Sequence, residues 1–265
     1  MPLKVRRIER AHSAPASPDE FYRLMTNRNF HFVSPKAQFN RQKMKVLVAG
    51  CGSGGGACAE PLLRLGVGHM RLADSGAYEL TNYNRQRAYV ENIGQNKATV
   101  LLNAMRRVNP HADLDATEDG ISPGNVHGLV QSADVVFDCV DVTSREALRM
   151  KVKLDETAQA QRKPTFVPMD IGYCQTGLGI DYRNPAERAL MGKVQETLAC
   201  EHPIKALLTF FPLSRFPSYS MRLLEHAINK SPVAISQLGC ASDMLSAVAA
   251  MAMIRFAENG HIIKS

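Results

Sequence analysis

The stretch MKVLVAGCGSGGGACAE, residues 44–60, constrains the fold of this 265-residue chain more than any other. A short apolar run meets three glycines spaced G-x-G-x-x-G, at Gly50, Gly52 and Gly55, followed by small helix formers. Each glycine has a mechanical use: a tight turn, close backbone approach to a phosphate, and helix-on-strand packing. The free N–H groups and dipole of the following helix then attract an anion. A strand, turn and helix of this kind belong in a parallel sheet wrapped by helices. They do not say whether the phosphate is the pyrophosphate of a redox dinucleotide or the triphosphate of ATP.

The rest of the chain extends the pattern. Residues 1–16, rich in Arg, Ala, Ser and Pro, read as a flexible tail. Ser17-Pro18-Asp19-Glu20 carries an N-cap, a first-position proline and two first-turn acids, predicting a short helix over 21–26. A second begins at Ser34-Pro35 and runs to about residue 41. Strands are expected at 44–49, 69–73, 113–117, 134–139 and 164–170. Helices are expected at 54–65, 96–108, 124–132 and 144–160. This alternation predicts a Rossmann-like α/β fold, with a doubly wound, mostly parallel sheet and helices on both faces. Residues 17–265 read as one domain, with a nucleotide-binding half over about 44–142 and a less regular substrate or dimer half over about 164–265. From Cys174 onward prolines punctuate irregular segments, interrupted by a helix near 221–229. A final apolar helix is expected over 234–258.

Composition narrows the function classes. The formal charge is +7, but the basic residues are dispersed, which suits anionic small molecules or an acidic partner better than nucleic acid. No apolar stretch reaches the ~20 uninterrupted residues of a membrane span. The basic start has no signal-peptide core behind it, so a cytoplasmic location is expected. Six cysteines never fall as C-x-x-C, and no zinc is expected.

The discriminating residues follow the second strand. Asp74, at its end, can bind ribose hydroxyls and serves NAD or ATP equally. The segment LADSGAYELTNYNRQ…IGQNK then places Asn82, Arg85, Gln86 and Lys97 behind the nucleotide site. A dinucleotide carries two bridging phosphates and has little use for several cations. A triphosphate losing pyrophosphate needs Arg and Lys on the leaving group. Asp141, just past the strand in FDCVDVTSREA, stands at the ligand-binding edge of such a sheet, where a carboxylate can hold Mg²⁺ against phosphates. The plain structural readings are a solvated face for Arg85 and Lys97 and a helix cap for Asp141.

VLVAGCGSGGG, LADSGAYELTNYNRQ, IGQNKA, RRVNPHA and FDCVDVTSREA together resemble the ThiF/MoeB group, bacterial relatives of ubiquitin-activating enzymes. The resemblance covers roughly residues 28–141 well and the last helix loosely. It implies adenylation of a carboxylate by ATP with release of pyrophosphate. The substrate implied is the C-terminus of a ubiquitin-like sulfur carrier, a peptide, or a small-molecule acid. Asp74 matches the ribose-binding acid, Asn82, Arg85 and Lys97 the residues around the phosphates, and Asp141 the Mg²⁺-coordinating acid. Arg28 is similar to an arginine that reaches the triphosphate, often from the neighbouring subunit of a homodimer. Gln86 follows Arg85 as in the family, with no clear role.

Two positions depart from the family pattern. Gly76 stands where a second acid is usual, and Val142 where an asparagine commonly follows the strand-end acid. Cys174, Cys200 and Cys240 are the candidates for a thioester or persulfide cysteine, with Cys200 expected to be the most exposed. Cys51 and Cys58 read as packing residues. ALLTFFPLSRFPSYS reads as core, or as the lining of a groove for a partner tail or small acid. The apolar final helix suits burial and a homodimer interface. Two other classes stay open: an NAD-dependent oxidoreductase, and a non-catalytic binding subunit that keeps the nucleotide pocket or its shape.

Overall fold

The computed structural model describes residues 17–211, 214, 216–229, 235–260 and 262. The tail expected over 1–16 lies outside them. The two N-terminal helices form where the serine-proline starts place them. They are α1 (Pro18–Met25), with the Ser17 hydroxyl accepting from the Glu20 N–H, and α2 (Pro35–Lys43), with Ser34 accepting from Ala37.

Six strands make one sheet: β1 (Lys45–Ala49), β2 (His69–Ala73), β3 (Asp113–Thr117), β4 (Val135–Asp138), β5 (Pro164–Ile171) and β6 (Cys174–Asp181). Their order is β3-β2-β1-β4-β5-β6. The first five pair in parallel, and β6 runs antiparallel to β5. The direction of winding reverses between β1 and β4, and ligands of such sheets bind at the carboxyl ends of the strands flanking that reversal.

Both faces are covered. Along β1 the period of two sends Val46 and Val48 to one face and Leu47 and Ala49 to the other, and all four are buried. The first face is closed by α3 (Ser53–Arg64), α4 (Lys97–Val108) and α10 (Gly239–Asn259). The second is closed by α5 (Val126–Gln131), α6 (Arg145–Ala160), α8 (Pro203–Phe210) and α9 (Ser218–Ile228), with α7 (Val194–Ala199) alongside α8. α10 lays Leu245, Ala249, Met253 and Phe256 into the core along α3. Each of its larger side chains contributes roughly 1.5–3 kcal/mol by leaving water. Length and composition alone would let α10 cross a membrane. Its other face is exposed, at Met244, Val248 and Met251.

The half after residue 164 departs from expectation. It is not irregular: it holds β6, α7 and α8, none of which has a clear sequence signal. β6 hides because Gly177 and Gly179 replace side chains that would mark alternation. A side chain at Gly179 would have to displace Ile262, since a Cβ would lie 2.2 Å from Ile262 Cγ2. The aromatic segment splits: Phe210 ends α8, and Phe210, Phe211 and Phe216 are core, whereas residues 212, 213 and 215 lie outside the described set. α10 begins at Gly239 rather than 234, and 235–238 have no helical structure.

Candidate active site

The glycine turn is built as its spacing demands. Gly50 has φ +91°, and a Cβ there would sit 2.2 Å from the Cys139 carbonyl oxygen after β4. Gly55 packs so closely on the turn that a Cβ would lie 1.8 Å from the Gly50 oxygen. Gly52 is the residue before α3, and no side chain caps that helix start. Its first N–H groups face the carboxyl edge of the sheet, where an anion can take them. Gln86 lies over Gly52, with Nε2 3.6 Å from the Cβ position, and its Oε1 is buried without a hydrogen-bond partner. Gln86 therefore touches the phosphate-binding turn directly.

Asp74 ties the turn to the following loop. One carboxylate oxygen accepts the Cys51 N–H at 2.6 Å and the other the Gly76 N–H at 2.7 Å. Each oxygen keeps a free lone pair for a hydroxyl. Asn96 donates to the Asp74 carbonyl and caps α4, which sets Lys97 at the first helical position. The Lys97 ammonium lies 3.7 Å from where a Gly76 Cβ would stand, over Tyr78. The missing acid at position 76 leaves Lys97 beside Asp74 with no carboxylate of its own from that residue.

Asn82 is buried, and its amide oxygen accepts the Glu79 N–H in a capping box. That bond holds the short helical turn over 80–82, and the Asn82 carbonyl in turn accepts the N–H of Arg85. Arg85 Nη1 donates to the Thr81 carbonyl and to Asn84 Oδ1, while its buried Nε has no partner. Burial pulls its pKa below the ordinary guanidinium value, opposed by the carboxylates of Asp170 and Asp141. Asp141 is exposed after β4; its Oδ1 accepts the N–H groups of Val142 and Thr143, and its Oδ2 the Thr143 hydroxyl. The cap of α6 is Ser144.

Beneath Asp141 the end of β4 is anchored by an ion pair, Asp138 to Lys151 at 2.8 Å, with both side chains almost wholly buried. Asp138 also accepts the Val140 N–H, fixing the turn that leads to Asp141. One helical turn along α6, Asp155 accepts the Leu190 N–H, and burial raises its pKa to about 6.

Sequence reasoning missed Asp170. It stands at the end of β5, 8% exposed, with the Gln237 amide donating to Oδ1 at 2.9 Å and the Ser53 hydroxyl reaching Oδ2 at 3.4 Å. Burial raises its pKa, against the hydrogen bonds of Gln237 and Ser53 and the charge of Arg85. An acid at the carboxyl end of a parallel strand is the signal that marks it, the same one that marks Asp74.

Gly50, Gly52, Gly55, Asp74, Asn82, Arg85, Lys97 and Asp141 thus gather on one edge of the sheet. Arg28 does not join them. It lies in the short turn over 27–29, whose neighbour Asn29 bonds to the Leu65 carbonyl at the far, C-terminal end of α3. Of the three candidate cysteines, Cys200 is half-buried with its thiol directed at the His202 carbonyl, not freely exposed as expected. Cys240 is exposed and follows Gly239, which packs on the Asn84–Arg85 backbone. Cys174 starts β6, directly after the Gly172–Tyr173 turn, and is half-buried. Cys51 and Cys58 are buried, and burial pushes the Cys58 thiol up to about 12.

The sequence profile of the ThiF family matches residues 24–176. The chain belongs to the ThiF family. The vegetative-cell HesA protein of Trichormus variabilis is 30% identical over 195 residues, covering 68% of this chain and 73% of that protein. The sulfur carrier protein ThiS adenylyltransferase of Bacillus subtilis is 28% identical over 112 residues, covering 41% of this chain and 33% of the relative. Among solved structures, E. coli tRNA N6-threonylcarbamoyladenosine dehydratase, TcdA, in complex with ATP superposes with a TM-score of 0.62 at 18% identity, covering 91% of this chain and 96% of that one. The ThiF match spans both the glycine turn and Asp141.

Proposed function

We propose that this chain is an ATP-dependent adenylyltransferase that activates a carboxylate as an acyl-adenylate and releases pyrophosphate. One observation carries the reading: two cations and two acids, Arg85, Lys97, Asp74 and Asp141, converge on an uncapped helix start behind a glycine turn. The cradle fits a nucleoside triphosphate, since side chains at Gly50 and Gly55 would fill it and Arg85 Nε and Gln86 Oε1 are left without partners. The ATP-bound relative of like fold and the adenylyltransferase among the sequence relatives support the same chemistry.

The roles follow from charge. Asp74 takes the ribose hydroxyls, and the N–H groups at the start of α3 take phosphate oxygens. Arg85 and Lys97 neutralise the charge that grows on the departing pyrophosphate while a substrate carboxylate oxygen attacks the α-phosphorus. Positioning and electrostatics suffice, and no protein base is needed. Mg²⁺ belongs to the proposal. Among the described residues no cluster of three or more ligating side chains exists. Asp141 retains one unused carboxylate lone pair after its local hydrogen bonds, which fits a cation held mostly by water and phosphate. When bound there, it would supply further charge neutralisation on the leaving group.

A homodimer is also proposed. The exposed Met244–Val248–Met251 stripe of α10 suits an interface, and Arg28 could serve only a neighbouring subunit's site. A cytoplasmic setting is proposed as well, since a chain with six cysteines and no C-x-x-C pair suits a reducing compartment.

ATP–pyrophosphate exchange with a panel of carboxylates tests the reading. Asp141→Ala, an exposed change that should leave the fold intact, is expected to lower exchange by 10²-fold or more. Tight ATP binding without exchange would instead indicate a binding subunit, and NADH binding without ATP binding an oxidoreductase.

A further inference from the structure

A second concavity lies beside the nucleotide edge. It is an open groove of about 400 Å³ lined by the β5–β6 turn at Gly172 and Tyr173, by Tyr219 and Arg222 of α9, and by Gln237, with Tyr173 and Arg222 exposed to solvent. This size is near the lower end for small-ligand pockets, enough for a small molecule or a terminal residue but not for a folded partner. Its position follows from a chain of contacts. Gln237 lines the cavity and donates to Asp170 at 2.9 Å, and Asp170 meets the hydroxyl of Ser53, the first residue of α3. Two side-chain contacts therefore separate the cavity wall from the turn that faces the phosphates. Asn84, the neighbour of Arg85, also bonds to the Gln237 carbonyl at 3.0 Å.

The lining carries a charge pattern. Tyr173 and Tyr219, with ring centroids 5.9 Å apart, form a wall with Leu223 and Leu238. Asp170 is not part of the lining: Gln237 stands between its carboxylate and the lumen. Arg222 is the one charged residue in the lining, and it forms no ion pair with any described acid. The cations that serve the phosphates, Arg85 and Lys97, are separate from it. A guanidinium in a mostly apolar wall recognises a carboxylate, and the reacting carboxylate must lie at the phosphate end.

We propose that this cavity is the acyl-substrate pocket and that Arg222 selects a substrate with a second carboxylate. The ligand is a small dicarboxylic acid, free or as the acidic C-terminal residue of a peptide. One carboxylate reacts at the phosphate end and the other pairs with Arg222. This assignment rests on the adenylation reading above.

The test uses matched pairs in which only the second charge differs: glutarate against glutaramate, and short peptides ending in Glu against the same peptides ending in Gln. Exchange is measured for the full chain and for Arg222→Gln and Arg222→Lys. The wild type should favour the diacid member of a pair by at least 10-fold in kcat/KM. Arg222→Gln should bring the pair within about 3-fold, mainly through KM, and Arg222→Lys should keep much of the preference. The free-acid and peptide arms separate the two sources of the carboxylate.

Binding is scored independently by tyrosine fluorescence with a non-hydrolysable ATP analogue present. The chain has no tryptophan, and Tyr173 and Tyr219 line the cavity. Diacid binding that disappears in Arg222→Gln supports the pocket even if no exchange occurs, and that pattern would count against adenylation alone. Equal use of acid and amide, a preference that survives Arg222→Gln, or no diacid binding to the wild type overturns the assignment.

Discussion

The nucleotide edge and the acyl-side cavity sit side by side but are made differently. The edge is backbone: the Gly50 and Gly55 approaches leave no room for a methyl group, and Asp74 is held by two main-chain N–H groups. The cavity is made of side chains from three separate segments, the β5–β6 turn, α9 and residues 236–238. A site that binds the same triphosphate in every turnover can be rigid and local. A pocket that selects one acid can vary by exchanging side chains while the sheet stays intact.

The largest expected effect breaks the edge. Gly55→Ala forces a methyl to within 1.8 Å of the Gly50 oxygen and should cost several kcal/mol, read as loss of folded protein in a urea melt or loss of ATP binding. A stable, ATP-binding variant would show that the turn is looser than its geometry.

Removing charge without volume conflict comes next. Lys97→Ala or Arg85→Ala should lower exchange by about 10²–10³-fold, roughly 3–4 kcal/mol of transition-state stabilisation, with little change in thermal midpoint. A purely structural role would shift stability and exchange together.

A third effect lies under the edge and depends on pH. Asp155 binds a proton more tightly folded than unfolded, because burial raises its pKa to about 6. Its penalty is therefore absent below the unfolded carboxylate range, grows as pH rises from about 4 to 6, and is complete above that. Asp155→Asn should stabilise by about 3 kcal/mol at pH 7 and by well under 1 kcal/mol at pH 4, measured by denaturant unfolding. A gain independent of pH would mean that the carboxylate is not the source.

The smallest effect is on the looser side. Gly177 in β6 would meet only an ordinary contact at 3.4 Å, so Gly177→Ala should change stability by less than about 0.5 kcal/mol. Against Gly55→Ala, the pair measures how unevenly the two regions tolerate a methyl group.

Much of the nucleotide half is legible in the sequence. Strand ends and glycine spacing carry local physics: a tight turn needs glycine wherever it occurs, and an acid at the end of a parallel strand faces the ligand edge. That rule places Asp74 and Asp141, and the charge a departing pyrophosphate requires places Lys97. Asp170 obeys the same rule, but no cluster of polar residues follows it in sequence to mark it. β6 and α8 escaped because their signals are nonlocal. Gly179 is explained only by Ile262, 83 positions on, and Phe210, Phe211 and Phe216 are equally apolar whether in a helix or a loop.

Taken alone, the residue order determined the sheet class, the phosphate-binding turn and the charged groups around it, since each rests on neighbours a few positions apart. Only tertiary structure decided that Arg28 lies at the other end of α3, that Asp170 closes the phosphate edge and that Arg222 shares a cavity with Tyr173. Those facts depend on which distant segments pack together, a choice made by burial of two whole sheet faces and not by any local pattern.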